Sequence, residues 1–355
     1  MNILAKTWKD IDFDRMVSNE RLLLATKKAS EHKSKSVSAQ KYLKSEERRD
    51  MLREELLDGT YKPLITQDRK IWDIRSNKER TIRRPAFRDQ VVHHLLMLEL
   101  QPHIMKHLIR HNIACIPNRG MEYGRKIVKN WTTHKKDSKY LIQADVKHYY
   151  ECVDTAILMN FFKRKIRDKR VLALLQLILD TCTNGLVLGY YVCQWFGALY
   201  LSELDHAMKE KFRLKCYVRY VDNILIGCKS KKQMKAVTEY LHSYLANVCL
   251  KLKTTGKECI RQFKWYNTFV DFIGYRTYRE GFQEIRKTTY MRIRKLMNRI
   301  CKNEYCSLSQ ARSLLSRRGI VLHSDCHTLL RKIENIIASR RMRRMVSYAT
   351  KQQIG

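Results

Sequence analysis

Two aspartates, Asp145 and Asp222, stand in surroundings suited to metal-assisted chemistry. Asp222 lies within Cys216-Tyr217-Val218-Arg219-Tyr220-Val221-Asp222-Asn223-Ile224-Leu225-Ile226-Gly227, with an apolar, β-prone run on either side. That pattern predicts a hairpin holding the carboxylate at its turn. Asp145 follows another apolar run, Tyr140-Leu141-Ile142-Gln143-Ala144, and precedes the aromatic pair Tyr149-Tyr150. In a strand, Ala144 and Val146 face the core while Asp145 points the other way, into a cleft. A lone aspartate is most simply a helix cap or a surface charge. Two strand-borne carboxylates converging on divalent metal are what nucleotidyl transfer requires, one ion activating the attacking 3′-hydroxyl and the other steadying the leaving pyrophosphate.

Holding two such strand ends calls for a sheet and supporting helices, and the chain has both patterns. Residues 1–60 read as polar helices, with apolar positions three and four apart around Leu22, Leu23, Leu24 and Leu52, Leu56, Leu57. From Tyr61 the pattern turns β-like and basic: Ile71-Trp72-Asp73-Ile74-Arg75, a polar turn Ser76-Asn77-Lys78-Glu79, then Arg80-Thr81-Ile82-Arg83-Arg84-Pro85. Helices are predicted from Asp89 to about Leu108, over 154–166, 170–183 and 194–211, and from Lys231 to Val248. Short strands follow around Phe269–Arg276, and the remainder is helical and basic to Arg340-Arg341-Met342-Arg343-Arg344, either a solvated face or a backbone-binding one. Only 4 Pro and 12 Gly occur in 355 residues, which argues against long flexible linkers.

Lys and Arg number 71 against 35 acidic residues, a net charge of +36 spread over the whole chain. A polyanion that offsets the self-repulsion is the expected partner, and nucleic acid fits best. No run reads as a membrane span or amphipathic anchor, so a membrane partner is not expected. The eleven cysteines are mostly single and embedded in apolar runs, as at Cys115, Cys182 and Cys249. That usage fits a reducing compartment, and Met1-Asn2-Ile3-Leu4 carries no signal pattern, so a cytoplasmic protein is expected.

The order of these motifs resembles a bacterial or phage reverse transcriptase over roughly residues 60 to 290. Asp145 with Tyr149-Tyr150 matches the first catalytic block of the palm, and Tyr220-Val221-Asp222-Asn223 matches the family's Tyr-X-Asp-Asp turn. Phe87-Arg88-Asp89-Gln90-Val91-Val92 and Ala114-Cys115-Ile116-Pro117-Asn118-Arg119-Gly120 resemble fingers blocks, and Phe272-Ile273-Gly274-Tyr275 resembles the primer grip. Between the aspartates, the segment from Gly185 to Phe196 resembles the block that opens a helix beneath template and nucleotide. Its Gly189-x3-Cys193-Gln194 ending is similar to the Ser-Gln ending of reverse transcriptases of diversity-generating retroelements, where many retroelement enzymes have Ser-Pro. Any one block is weak; six in order and spacing are specific.

The resemblance implies an α/β (α+β) right-hand polymerase fold: a helical N-terminal region at 1–60, fingers at 61–139, an antiparallel palm sheet backed by helices at 140–276, and a basic helical thumb at 277–355. It implies RNA-directed DNA synthesis with Mg2+ held by Asp145, Asp222 and Val146. Tyr150, five residues after Asp145, is the expected steric gate against a 2′-hydroxyl, with Tyr149 packed behind it. Lys78, Arg80 and Arg83 are expected to neutralise the triphosphate, although one basic turn in so basic a chain is also read as surface. Gly189 and Gln194 would shape the pocket for the templating base, the competing reading being a turn glycine and a helix-capping amide. Phe272, Gly274 and Tyr275 would form the primer grip.

One departure matters most. Asn223 stands where the family has a second turn aspartate; it keeps an oxygen but removes a charge, which predicts weakened metal binding and a preference for Mn2+. The expected partners are an RNA template, a DNA or RNA primer, deoxynucleoside triphosphates and a small basic accessory protein, in a diversity-generating retroelement. An antiphage-defence or abortive-infection reverse transcriptase and a catalytically decayed RNA-binding scaffold are the alternatives. Cys301, Cys306, His323, Cys326 and His327 are zinc-ligand types, but their spacing is loose and zinc is not expected.

Overall fold

The computed structural model describes residues 7–73, 78–254, 261–266, 268–303 and 306–339. The basic run Arg340–Arg344 and residues Ser76 and Asn77 of the expected turn lie outside them. The fold is a mixture of helix and antiparallel sheet, as the sequence predicts. The chain divides into two compact units. One is formed by residues up to Pro117 with Ala144–Arg213 and the segment from Lys235; the other by Asn118–Gln143, Leu214–Met234 and the segment from Arg261.

The first unit begins with α1 (Phe13–Met16), α2 (Asn19–Ser30), α3 (Val37–Lys44) and α4 (Glu46–Leu57). Ser18, Ser36 and Ser45 start the last three by accepting a backbone N–H of the first turn. An antiparallel ribbon follows, β1 (Asp68–Asp73) with β2 (Lys78–Arg83), and then α5 (Phe87–His107). Helix α5 is the axis of this unit, because α1, α2 and α10 (Tyr191–Tyr200) all pack on it. Its Val91, Val92, Leu95, Leu96, Leu100 and Ile104 are fully buried, each worth about 1.5–3 kcal/mol of burial. Its buried carboxylates are paired: Asp89 accepts from the Tyr61 hydroxyl at 2.8 Å, and Glu99 takes Arg15 at 2.5 Å. The unit also holds α7 (Tyr149–Cys152), α8 (Thr155–Lys165), α9 (Lys169–Asp180), α11 (Ser202–Glu210) and most of α12 (Lys231–Asn247).

The second unit contains α6 (Met121–Asn130) and a four-stranded sheet ordered β4-β5-β3-β6, from β3 (Tyr140–Asp145), β4 (Tyr217–Tyr220), β5 (Asn223–Cys228) and β6 (Arg261–Lys264). The last two residues of β3 count with the first unit. A three-stranded meander, β7 (Phe269–Phe272), β8 (Tyr275–Tyr278) and β9 (Gln283–Ile285), leads to α13 (Lys287–Lys302), α14 (Leu308–Leu322) and α15 (His327–Ala338). These helices bury Ile293, Leu296, Ile300, Leu314, Val321 and Ile333 among themselves, together with Tyr275 of the meander.

Local structure departs from the sequence reading at several places. The helix predicted over 194–211 is two helices, broken at Leu201, whose φ of −99° and ψ of 16° leave the helical basin without a Pro or Gly to announce it. Lys78 and Glu79, expected in a turn, begin β2, and the β pattern expected from Tyr61 becomes a strand only at Asp68. Cys115 and Cys249, read as buried small hydrophobes, are exposed. Both have positive φ, so the chain turns at each of them and carries the thiol out of the apolar run. No helix among the described residues is long and apolar enough to cross a membrane.

Candidate active site

Asp145 is the last residue of β3, and the chain beyond it pairs briefly with 251–253. Val146 bridges Leu252, the Lys253 N–H donates to the Asp145 carbonyl at 2.9 Å, and the Lys147 N–H donates to the Lys251 carbonyl at 2.8 Å. Ala144 and Val146 are buried as expected; Asp145 is only 5% exposed, and its carboxylate forms an ion pair with the Lys253 ammonium. In this pairing the Val146 N–H and C=O point away from Leu252, so the Val146 carbonyl is the atom of that residue suited to metal.

Asp222 occupies the two-residue turn between β4 and β5, whose ends pair as Tyr220 with Asn223. Val221, the first turn residue, has φ 55°. A hairpin of this length demands positive φ there, and a β-branched side chain meets the demand only under strain of about 1–3 kcal/mol. Buried surroundings hold it: Tyr217, Val218, Ile224, Leu225 and Ile226 are fully enclosed, and so is Arg219, whose Nη1 donates to the Val221 carbonyl at 2.9 Å. Asp222 and Asn223 are half-buried. Strands β3 and β5 are neighbours in the sheet.

The aromatic pair after Asp145 divides its labour. The chain turns at His148, with φ 47°, and enters α7. Tyr149 is buried and its hydroxyl donates to the Gly197 carbonyl at 2.5 Å, while Tyr150 is half-buried with its ring over Gly197. Gly189 has φ 107°, and a Cβ there would lie 2.3 Å from the Arg83 carbonyl oxygen, so glycine is required by both torsion and space. Gln194 is exposed on the first turn of α10; Cys193 beside it is buried, its sulfur 4.0 Å from that of Cys182. A second thiol thus fills the surroundings of the residue that departs from serine.

Arg83 Nε pairs with Asp68 at 2.7 Å, its Nη1 donates to the Thr181 carbonyl at 2.8 Å, and its backbone N–H donates to the Leu188 carbonyl at 2.9 Å. It ties β2 to the segment carrying Gly189. Arg80 is more exposed and pairs with Asp73 at 2.9 Å, across the ribbon. Lys78 opens β2, and its side chain is outside the described residues. Phe272 and Tyr275 are buried and paired across β7–β8, with Gly274 at φ 93° in the turn. Tyr275 donates its hydroxyl to the Ile320 carbonyl at 3.1 Å. Near the C-terminus Cys306 is buried and Cys301 exposed, and among the described residues no three His, Cys, Asp or Glu gather into a metal set.

The Asp145 and Asp222 carboxylates, the Asn223 amide and the Val146 carbonyl each offer oxygen donors. They suit a hard divalent cation, and the Lys253 ammonium on Asp145 shows that this carboxylate accepts a cation. Lys253, Arg219 and Gly197 escaped the sequence reading. A lysine alternating with leucines, one arginine in a basic chain and one small residue in a helix announce nothing about their neighbours.

A family model described as reverse transcriptase (RNA-dependent DNA polymerase) matches residues 73–276. Protein YkfC of Escherichia coli K12 is 25% identical over 175 residues, 46% of this chain and 45% of YkfC, so the chain spans about half the length of that curated relative. Among solved structures, telomerase from Candida albicans with a fragment of telomeric RNA is similar at TM-score 0.48 and 11% identity, over 79% of this chain and 55% of that one. Apo telomerase from Candida tropicalis is similar at TM-score 0.45 and 13% identity, over 85% of this chain and 64% of that one.

Proposed function

Because the chain belongs to the reverse transcriptase (RNA-dependent DNA polymerase) family, we propose that it copies an RNA template into cDNA, with Asp145 and Asp222 holding the metal centre. The observation that carries this reading is the Tyr220-Val221-Asp222-Asn223 turn on the strand next to the one that ends at Asp145. Mg2+ or Mn2+ bound there supplies activation of the primer 3′-hydroxyl and charge compensation at the leaving pyrophosphate. The Asp145 and Asp222 carboxylates and the Val146 carbonyl are the ligands, and Asn223 adds a neutral oxygen. Tyr150 excludes a ribose 2′-hydroxyl. Arg80 and Arg83 neutralise the triphosphate, exchanging their present carboxylates for phosphate oxygens, and Lys78 has the same role by its place in the sequence. Gly189 and Gln194 border the templating base, and Phe272, Gly274 and Tyr275 present the primer grip. On this reading residues 61–139 are the fingers, 140–276 the palm and 277–355 the thumb.

The Gly189-x3-Cys193-Gln194 ending favours a diversity-generating retroelement in a bacterial or phage-infected cytoplasm, with a structured template RNA and a small basic accessory protein. Asn223 favours a second reading, an RNA-binding scaffold whose metal site has decayed. Primer extension on an RNA template in Mg2+ and in Mn2+ separates them. Polymerisation predicts products that Asp222→Ala abolishes, with Asn223→Asp raising the Mg2+-supported rate by restoring a charged ligand. A scaffold predicts salt-sensitive RNA binding and no product in either metal. A template repeat beside a variable repeat in the neighbouring genes supports the retroelement over a defence role.

A further inference from the structure

Asp145 and Lys253 lie directly opposite one another across the short antiparallel contact that follows β3. The bond from the Lys253 N–H to the Asp145 carbonyl and the adjacent Val146–Leu252 bridge fix that register. Opposed residues in such a ladder share a face, with Cβ atoms about 5 Å apart. The backbone therefore delivers the ammonium to the carboxylate, and the side chains form an ion pair. The Asp145 side chain is 8% exposed and that of Lys253 23%, so the pair is largely withdrawn from water, whereas Lys251 of the same segment is exposed.

We propose that Lys253 is a built-in competitor for the divalent cation at Asp145, a positioning residue that sets how much free metal the site needs before it fills. The inference rests on the reading of Asp145 as a metal ligand. A carboxylate this buried is costly without a counter-charge, and Lys253 supplies one. A divalent ion on the same carboxylate meets a like charge in contact distance, so the ammonium must leave as the ion enters. The four-carbon stem of lysine allows that exchange by rotation, without backbone movement. Asn223 sharpens the competition, because the set loses a carboxylate at one position while a cation sits on another.

The test is Mn2+ binding to the full chain at fixed ionic strength, without nucleotide or nucleic acid, read from the electron paramagnetic resonance signal of free Mn2+. The proteins are wild type, Lys253→Met, Lys253→Gln, Lys251→Met and Asp145→Asn, with circular dichroism confirming that each is folded. Both Lys253 variants are expected to bind the Asp145-dependent ion about fivefold more tightly, the scale of a lost, partly exposed ion pair. Lys251→Met removes the same charge two positions away and is expected to leave affinity unchanged. Unchanged affinity in both Lys253 variants overturns the proposal, and so does equal tightening in Lys251→Met, which would reduce the effect to net charge. Binding that Asp145→Asn does not diminish shows instead that Asp145 is no metal ligand, and the underlying reading fails with it.

Discussion

A Cβ on residue 197 would lie 3.2 Å from the Tyr150 ring, so that ring keeps its place because Gly197 has no side chain. If Tyr150 is the gate, Tyr150→Ala should cut discrimination between deoxy- and ribonucleotides by at least about tenfold, the scale of a lost shape contact in a pocket. Gly197→Ala, by pushing the ring aside, should weaken discrimination in the same direction and by less. Competitive incorporation of a deoxynucleotide against its ribonucleotide checks both, and unchanged selectivity in Tyr150→Ala would move the gate to another residue. The expectation for Tyr150 comes from its place five residues after Asp145, which is order along the chain alone. Its support by Gly197 was not legible, because contact between residues so far apart exists only once α7 and α10 are folded. The Asp145–Lys253 pair was hidden for the same reason, and Arg219 because an internal arginine looks like all the surface ones.

Helix α5 packs against α10 within the first unit, and two of its histidines meet the entry to that helix. The His93 ring lies 4.9 Å from that of Tyr190, and His94 stacks on Tyr191 at 4.3 Å, at the entry to α10. Burial holds His93 down to about 3 and His107 down to about 4, and among the described residues neither nitrogen of His107 has a hydrogen-bond partner. Both are neutral in the folded protein, whereas the unfolded chain takes up protons near pH 6.5. Below that value the unfolded state binds more protons, so folding stability falls with pH until the folded-state values are reached. The expected loss between pH 7.5 and 5 is about 2 kcal/mol for each of the two. Urea unfolding at pH 7.5 and 5 measures it, and His107→Leu should shrink the difference; a flat profile would mean that these imidazoles are already solvated. At this scale the sequence marked helix and strand well where periodicity was strong, as in α5, α12 and the β4–β5 hairpin. The break at Leu201 was invisible because no Pro or Gly marks it.

For the molecule as a whole, a charge of +36 makes affinity for nucleic acid a function of salt. Release of counterions from several phosphates predicts that RNA binding weakens by about a thousandfold between 50 and 200 mM salt. A shallow dependence, measured by filter binding or anisotropy, would mean that most of the charge lies away from the nucleic acid. Charge indicated a polyanionic partner from composition alone, but it says nothing of catalysis; that rests on Asp145 and Asp222 sharing one metal centre. Fe2+ substituted for Mg2+, with ascorbate and peroxide, generates radicals that cut the backbone beside the bound ion, and mass spectrometry locates the cuts. Cleavage around both Asp145 and Asp222, lost at both places in either Asp145→Ala or Asp222→Ala, is the predicted result. Cleavage at one aspartate that survives loss of the other would contradict a shared centre.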